Sequence, residues 1–360
     1  MFRLIIFIVG SNRVRTVTPA SIISTIAGTG VATYSGEGLP ATSSGINYPT
    51  GVAIDTANGD MYVYARTGKR IQVVTGSSSQ VYTHAGTGVG GSSGDGGAAT
   101  SATFNSDGLW LDSTGRLYVA DYTNNKIRVV YSVAPTSSPT VTPTVAPSGP
   151  SQAPTLSPTA KPTYSMRPSF SPSFARSTQN NVNVFAGTGL SNSTGTGGAA
   201  TSASFNQVRS LWQDTEGSVY IVEYESKCIR KVSTSSGLVS KVAGICGTSG
   251  FGGDNGPATS ALFNGTLDIQ LDTASNLYIS DSKNHRVRLV LNSGTVSTYA
   301  GIGTAGSSGD NGDATSAALN QPYGIGLSSG GSLYVVMHGS HSIRMITSSG
   351  TITAFAGKHN

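Results

Sequence analysis

The feature that most constrains this chain is a repeat. The dipeptide Ala-Gly, followed by a small or β-branched residue in all but its last copy, recurs with its glycine at Gly28, Gly86, Gly187, Gly244, Gly301 and Gly357. The intervals are 58, 101, 57, 57 and 56 residues. The long one contains a proline-rich stretch of 44 residues, 135–178, and subtracting it restores the period to 57. Self-similarity at such a period marks a protein assembled from equivalent supersecondary units.

Each period contains four short apolar segments. In the third they are 108–112 (GLWLD), 117–121 (LYVAD), 126–130 (KIRVV) and 181–187 (NVNVFAG). They alternate or are short enough to be strands. The residues between them, such as Asp112 to Gly115, are turn formers, because glycine tolerates positive φ and aspartate can bond its own backbone. With 47 glycines, 11% charged residues and no long helical periodicity, the composition agrees with many short strands. Four strands make one antiparallel sheet, which cannot bury both faces alone. Radial stacking of such sheets solves that problem, so the expected fold is an all-β, six-bladed propeller of about 57-residue repeats.

The segments LYVADYTNNKIRVV (117–130), LYISDSKNHRVRLV (277–290) and CIRKV (228–232), followed by Ala-Gly and a long glycine-rich loop, resemble NHL repeats. The loops at 93–105, 251–264 and 308–320 resemble those of long-period NHL propellers, including the teneurin-type domain. The resemblance implies a propeller but no single activity, since one superfold hosts unrelated functions. The chain also departs from a uniform pattern. Gly10 stands where other blades have Asp121 or Asp281, the second blade reads MYVYA at 61–65, and the fourth has Glu223.

The expected organisation is 1–134 for blades 1 to 3, 135–178 for a disordered Pro/Ser/Thr-rich insert in blade 3, and 179–360 for the remainder. The N-terminal piece supplies only the second, third and fourth strands of blade 1. This leaves its first strand missing and suggests a truncated or internal start, the alternative being a ring with one three-stranded blade. The opening MFRLIIFIVG imitates a signal peptide but has too short an apolar run and no clean cleavage site. No other run approaches the roughly 20 apolar residues of a membrane span. The insert cannot form a core and resembles O-glycosylated stalks of surface proteins, a plain linker being the alternative. Asn192 and Asn264 head glycosylation sequons.

In a propeller the long interblade loops and the turns between second and third strands emerge on one face. That face is expected to carry Asp95, Asp254 and Asp310 from the loops, with Asp121, Asn124, Asn125, Asp281, Asn284 and His285 from the turns, as a binding surface. A calcium role for the loop aspartates is weaker than a turn role, because each loop offers one or two carboxylates. Thr100, Thr201, Thr259 and Thr315 are candidate helix caps, and Phe104, Phe205 and Phe263 candidate plugs. Trp110 and Trp212, at equivalent places in adjacent first strands, are expected to face the channel with Gln270.

Cys228 begins a third strand and Cys246 follows the fourth strand of the same blade, so a disulfide and an oxidising compartment are expected, two reduced thiols being the alternative. Lys126, Arg128, Arg230, Lys231, Arg286, Arg288 and Arg344 recur with the period and are expected to be solvated or paired with acids. The formal charge of +5 is scattered, which argues against nucleic acid. No metal-ligand pair repeats among the five histidines, and the inner strands offer no base, so no cofactor and no catalysis are expected. The leading expectation is a secreted or cell-surface propeller that binds protein or glycan on its long-loop face. An intracellular RNA-binding or adaptor propeller is second, and a metal-dependent channel enzyme third.

Overall fold

In the computed structural model, residues 6–18, 20, 22–133 and 180–357 are described. The main compact unit comprises Met1–Ser132 and Asn180–Asn360. The proline-rich insert expected at 135–178 lies outside the described residues. Its flanking strands, Lys126–Ser132 and Asn180–Ala186, are paired up to Ser132 opposite Asn180.

Among the described residues the chain forms six antiparallel sheets, each consecutive in sequence, which makes it a β-propeller. Blade 1 has three strands, Ile6–Gly10, Arg13–Val17 and Ile23–Ala27, in the register of the second to fourth strands elsewhere. The inner strands of blades 2 to 6 are Pro49–Ile54, Gly108–Leu111, Val208–Gln213, Thr266–Leu271 and Pro322–Leu327. Successive inner edges touch from blade 1 to blade 6. No helix among the described residues is long and apolar enough to cross a membrane.

Among the described residues five apolar clusters form the core, one between each pair of blades successive in the chain. Strand alternation explains this. On the second strand of blade 3, Leu117 and Val119 face blade 2, whereas Tyr118 and Ala120 face blade 4. Phe104, Phe205 and Phe263 are fully buried as expected. Burial of a phenyl ring contributes about 1.5–3 kcal/mol, so the plugs are substantial stabilisers of their blades.

Each long loop crosses the outer edge of the blade it leads into before reaching the inner strand. Short strands at Leu39–Pro40 and Gly312–Asp313 pair with the fourth strands of blades 2 and 6. Single bridges, Ala98 to Asn181, Ala199 to Leu238 and Pro257 to Thr295, do the same in blades 3, 4 and 5. The loops therefore cover edges that would otherwise expose unpaired backbone. The ATS segments that follow are one-turn 3-10 helices, but their threonines lie inside the turn. The capping position belongs to the preceding residue, and only Asp313 caps with its side chain, accepting from the Thr315 amide at 2.9 Å.

The Ala-Gly signal has a backbone cause. These glycines have φ between +87° and +101°, and an added Cβ would meet the carbonyl oxygen of the residue before the third strand at 2.4–2.6 Å. A second device lies two residues on. Arg13, Arg70 and Arg286, at the start of third strands, donate to the carbonyls of Thr29, Thr87 and Ile302 at 2.6–2.7 Å. Each guanidinium fills the space beside a glycine (Gly30, Gly88, Gly303) whose Cβ would collide with it.

In blade 4 both partners change together. Cys228 stands in the arginine position, Cys246 in the glycine position, and they form a disulfide with Cα atoms 5.0 Å apart. The bridge is a covalent version of a tether that other blades make with hydrogen bonds. Cys246→Ser, which opens a bridge of sequence separation 18, is expected to cost about 3 kcal/mol. Cys228→Arg with Cys246→Gly, which rebuilds the Arg70–Gly88 pair, is expected to recover part of that loss in urea unfolding.

Candidate binding site at the channel mouth

Several of the residues expected to form a binding surface belong to a frame beneath it. Arg128, Arg230, Arg288 and Arg344 are fully buried on the third strands of blades 3 to 6. Arg128 donates to the carbonyls of Thr103 (2.6 Å) and Ser93 (2.9 Å), which flank the loop turn, and pairs with Asp95 (2.8 Å) and Asp121 (3.6 Å). Arg288 repeats this with Leu262, Gly252, Asp254 (2.6 Å) and Asp281 (3.4 Å). Arg344 binds Ser308, Ala318 and Asp310 (2.7 Å), and Arg230 binds Thr194, Ser204 and Glu223 (3.4 Å). In blades 3 to 5 the guanidinium also lies over the plug phenyl ring, 4.5–5.3 Å from its centroid. In blade 2 the pair is replaced by Ala65 and Gln72.

Asp121 and Asp281 are fully buried and do not belong to an exposed rim. Each accepts from the backbone amide that opens the inner-strand approach, Asn105 or Asn264, at 2.7 Å. Each also accepts from the side chain of Asn124 or Asn284, whose amide reaches the carbonyl of Gly91 or Gly250 at 2.7 Å. Burial pushes the pKa of both carboxyls up, to about 6, against the lowering effect of these donors and of the arginines. Asn125 and His285, both in the left-handed region, accept from the Gln207 and Gln321 amides of the next blade at 2.9 and 3.2 Å. They join blades together. Asp95, Asp254 and Asp310 keep about 30% of their side chains exposed but are spent on the arginines.

Trp110 and Trp212 meet, with ring centroids 4.1 Å apart. Each also packs against the cluster between its own blade and the next, because alternation on an inner strand directs side chains at neighbouring blades. They act as wedges at the far end of the inner strands, and Gln270 is likewise buried. Asn192 is exposed, whereas Asn264 is half-buried and its sequon threonine, Thr266, is fully buried. A shallow cleft of about 420 Å³ lies on blade 5 between the loops that enter and leave it, lined by Phe251, Asp254, Arg286, Thr298, Ile302 and Thr315.

Where the inner strands begin, a different set of side chains converges. The position five residues before the turn residue that follows each inner strand (Asp55, Asp112, Asp214, Asp272 and Ser328) holds Thr50, Asp107, Arg209, Leu267 and Tyr323 in blades 2 to 6. The first residue after the second strand is Arg66, Tyr122, Tyr224, Ser282 and His338. Arg209 is the hub. Its guanidinium carbon lies 5.3–5.5 Å from the ring centroids of Tyr122, Tyr224 and Tyr323, and it donates to the Tyr323 hydroxyl. Tyr323 comes from blade 6, so the contact spans blade 5. Asp107 pairs with Arg66 at 3.1 Å and Arg209 at 3.5 Å, and burial raises its pKa despite these cations. His338 stacks on Tyr323 at 5.5 Å, and Tyr224 has Lys227 and Lys283 within 4.9 and 6.0 Å.

Just below, the half-buried Asp268 carboxylate ties three inner strands. It accepts from the Ser210 hydroxyl at 2.6 Å and from the amides of Ile269 and Ile325 at 3.0 Å. Burial pushes its pKa up to about 6 in spite of these donors. Among the described residues, no three His, Cys, Asp or Glu side chains gather as a set of metal ligands.

Arg288→Met strands Asp281 without its countercharge and is expected to cost about 3–5 kcal/mol. Arg288→Gln with Asp281→Ala, which copies blade 2, is expected to restore most of it in chemical denaturation. For Asp268, a folded-state pKa above the unfolded 3.8 means stability fully present below about pH 4 and lost as pH rises through about 6. The stability margin of the wild type over Asp268→Ser should therefore shrink by roughly 3 kcal/mol between pH 4 and 7, read by thermal unfolding.

Neither a family model nor a curated protein matches the chain. Among solved structures it is similar to an auxiliary nutrient binding protein from Bacteroides thetaiotaomicron, 14% identical with a TM-score of 0.57, over 98% of this chain and 66% of that one. It is similar to a second such protein from Bacteroides ovatus, 15% identical with a TM-score of 0.56, over 97% and 66%. Virginiamycin B lyase from Staphylococcus aureus is 11% identical, with a TM-score of 0.48 over 97% of this chain and 79% of that one. At these identities the likeness establishes one thing, that the chain has the propeller fold shared by these proteins.

Proposed function

We propose that this protein is a non-catalytic propeller of secreted or cell-surface type that binds a protein or glycan on its long-loop face, with the channel mouth as the contact. The observation that carries the reading is the convergence of Tyr122, Tyr224, Tyr323, His338, Arg66 and Arg209 from four blades at one mouth. Aromatic and arginine side chains held on rigid strands are the residues that most often anchor binding. At the centre, Arg66, Asp107 and Arg209 are paired with one another, which suits recognition better than proton transfer. The Cys228–Cys246 bridge and the nutrient-binding neighbours support an oxidising, outward-facing setting.

The RNA-binding alternative has less support. Four of the seven periodic cations are fully buried, and Arg286 is committed to a backbone carbonyl. The test is a binding screen of the whole chain against arrays of soluble glycans and of secreted proteins. Tyr224→Ala is expected to weaken the captured ligand at least tenfold, as befits an aromatic anchor, while the frame variant Asp95→Asn leaves it unchanged. A ligand indifferent to Tyr224→Ala and Tyr323→Ala overturns the assignment to the mouth.

A further inference from the structure

The mouth has a chemistry narrower than protein or glycan. The Arg66 side chain is 40% exposed, and its Nε is held 3.1 Å from Asp107. Its two terminal nitrogens have no partner among the described residues, so a planar, two-pronged donor is held by its base and open at its tip. Arginine presented in this way matches a carboxylate bidentately. Arg209, by contrast, is mostly buried and is spent on Asp107, the Tyr323 hydroxyl and three rings.

The Arg66–Asp107–Arg209 triad carries a formal charge of +1, two guanidiniums against one carboxylate, and Lys283 beside Tyr224 adds to it, which suits an anionic ligand. Tyrosines stand next to both arginines of the triad. Tyr224 and Tyr323 flank Arg209, and Tyr48, whose amide carbonyl accepts from the Arg66 backbone at 2.9 Å, is 55% exposed. A tyrosine offers an apolar ring to the C–H face of a sugar and a hydroxyl to its rim.

We infer that the ligand of this mouth is an acidic saccharide, its carboxylate on the tip of Arg66 and its ring on the tyrosine faces. This rests on the reading of the mouth as the binding site. Arg66 acts as the specificity-determining contact, and Asp107 is the residue that positions it. Neutral saccharides engage the tyrosines alone and bind more weakly.

The experiment is calorimetric titration of the full chain with tetragalacturonate, its methyl ester and an octauridylate oligonucleotide, with thermal unfolding of every variant as a folding check. The acid is expected to bind about tenfold or more tighter than the ester, the effect of a charge-assisted hydrogen-bonded pair. Arg66→Gln should bring the acid down to the level of the ester, Arg66→Lys should keep part of the preference, and Tyr224→Ala should weaken both. Equal affinity for acid and ester, an acid affinity indifferent to Arg66→Gln, or tighter binding of the oligonucleotide overturns the inference. So does the absence of saccharide binding at about 1 mM, a concentration that would reveal even weak contacts. If a protein ligand from the array screen still depends on Tyr224, the mouth stands as the binding site and only the acidic-saccharide assignment falls. If no ligand depends on Tyr224, both fall.

Discussion

The structure depends on a guanidinium taken out of water. In blades 3 to 6 one arginine of the third strand is wholly enclosed, and a buried charge of that kind needs countercharge and acceptors around it. Carbonyls on both sides of the loop turn and carboxylates of the loop, of the second strand or of both take most of its donors, while the Nε of Arg230 and of Arg288 has no hydrogen-bond partner. The loop is thereby fixed over the blade it leads into. With the loops fixed, the inner strands enter the ring at a common level, and the mouth acquires its geometry.

This explains what could be read from the sequence and what could not. The Ala-Gly period was legible because one backbone requirement, a glycine with positive φ against a carbonyl, recurs at every blade. The blade count, the plugs and the cysteine pair followed from strand order and alternation. The burial of Arg128 and its counterparts was not legible, because alternation tells which face of a strand a residue takes but not that a distant loop folds down upon it. Asp121 and Asp281 were misplaced for the same reason. A polar residue at a turn looks exposed until the segment that covers it is known.

The mouth was missed for the opposite reason. Repeating positions are what a periodic sequence displays, whereas Thr50, Asp107, Arg209, Leu267 and Tyr323 occupy one register and share no chemistry. In a ring of equivalent units the repeating positions satisfy the needs of the fold, which are the same in every unit. A ligand breaks that equivalence, so its contacts fall where equivalent positions differ. The signal was present as five unlike residues at one place in the period, beside the aromatic residues that follow the second strands of blades 3 and 4.

The arginine clamp has a consequence for the integrity of the chain. A long loop leaves the outer edge of one blade and is gripped on both sides of its turn by the next, as Ser93 and Thr103 are by Arg128. A protease that cut the glycines between them, Gly96 and Gly97, would leave both new ends bound to the same side chain. Covalent continuity and structural continuity are thus separate properties at these turns, and the ring is built to survive a nick in its most accessible segments.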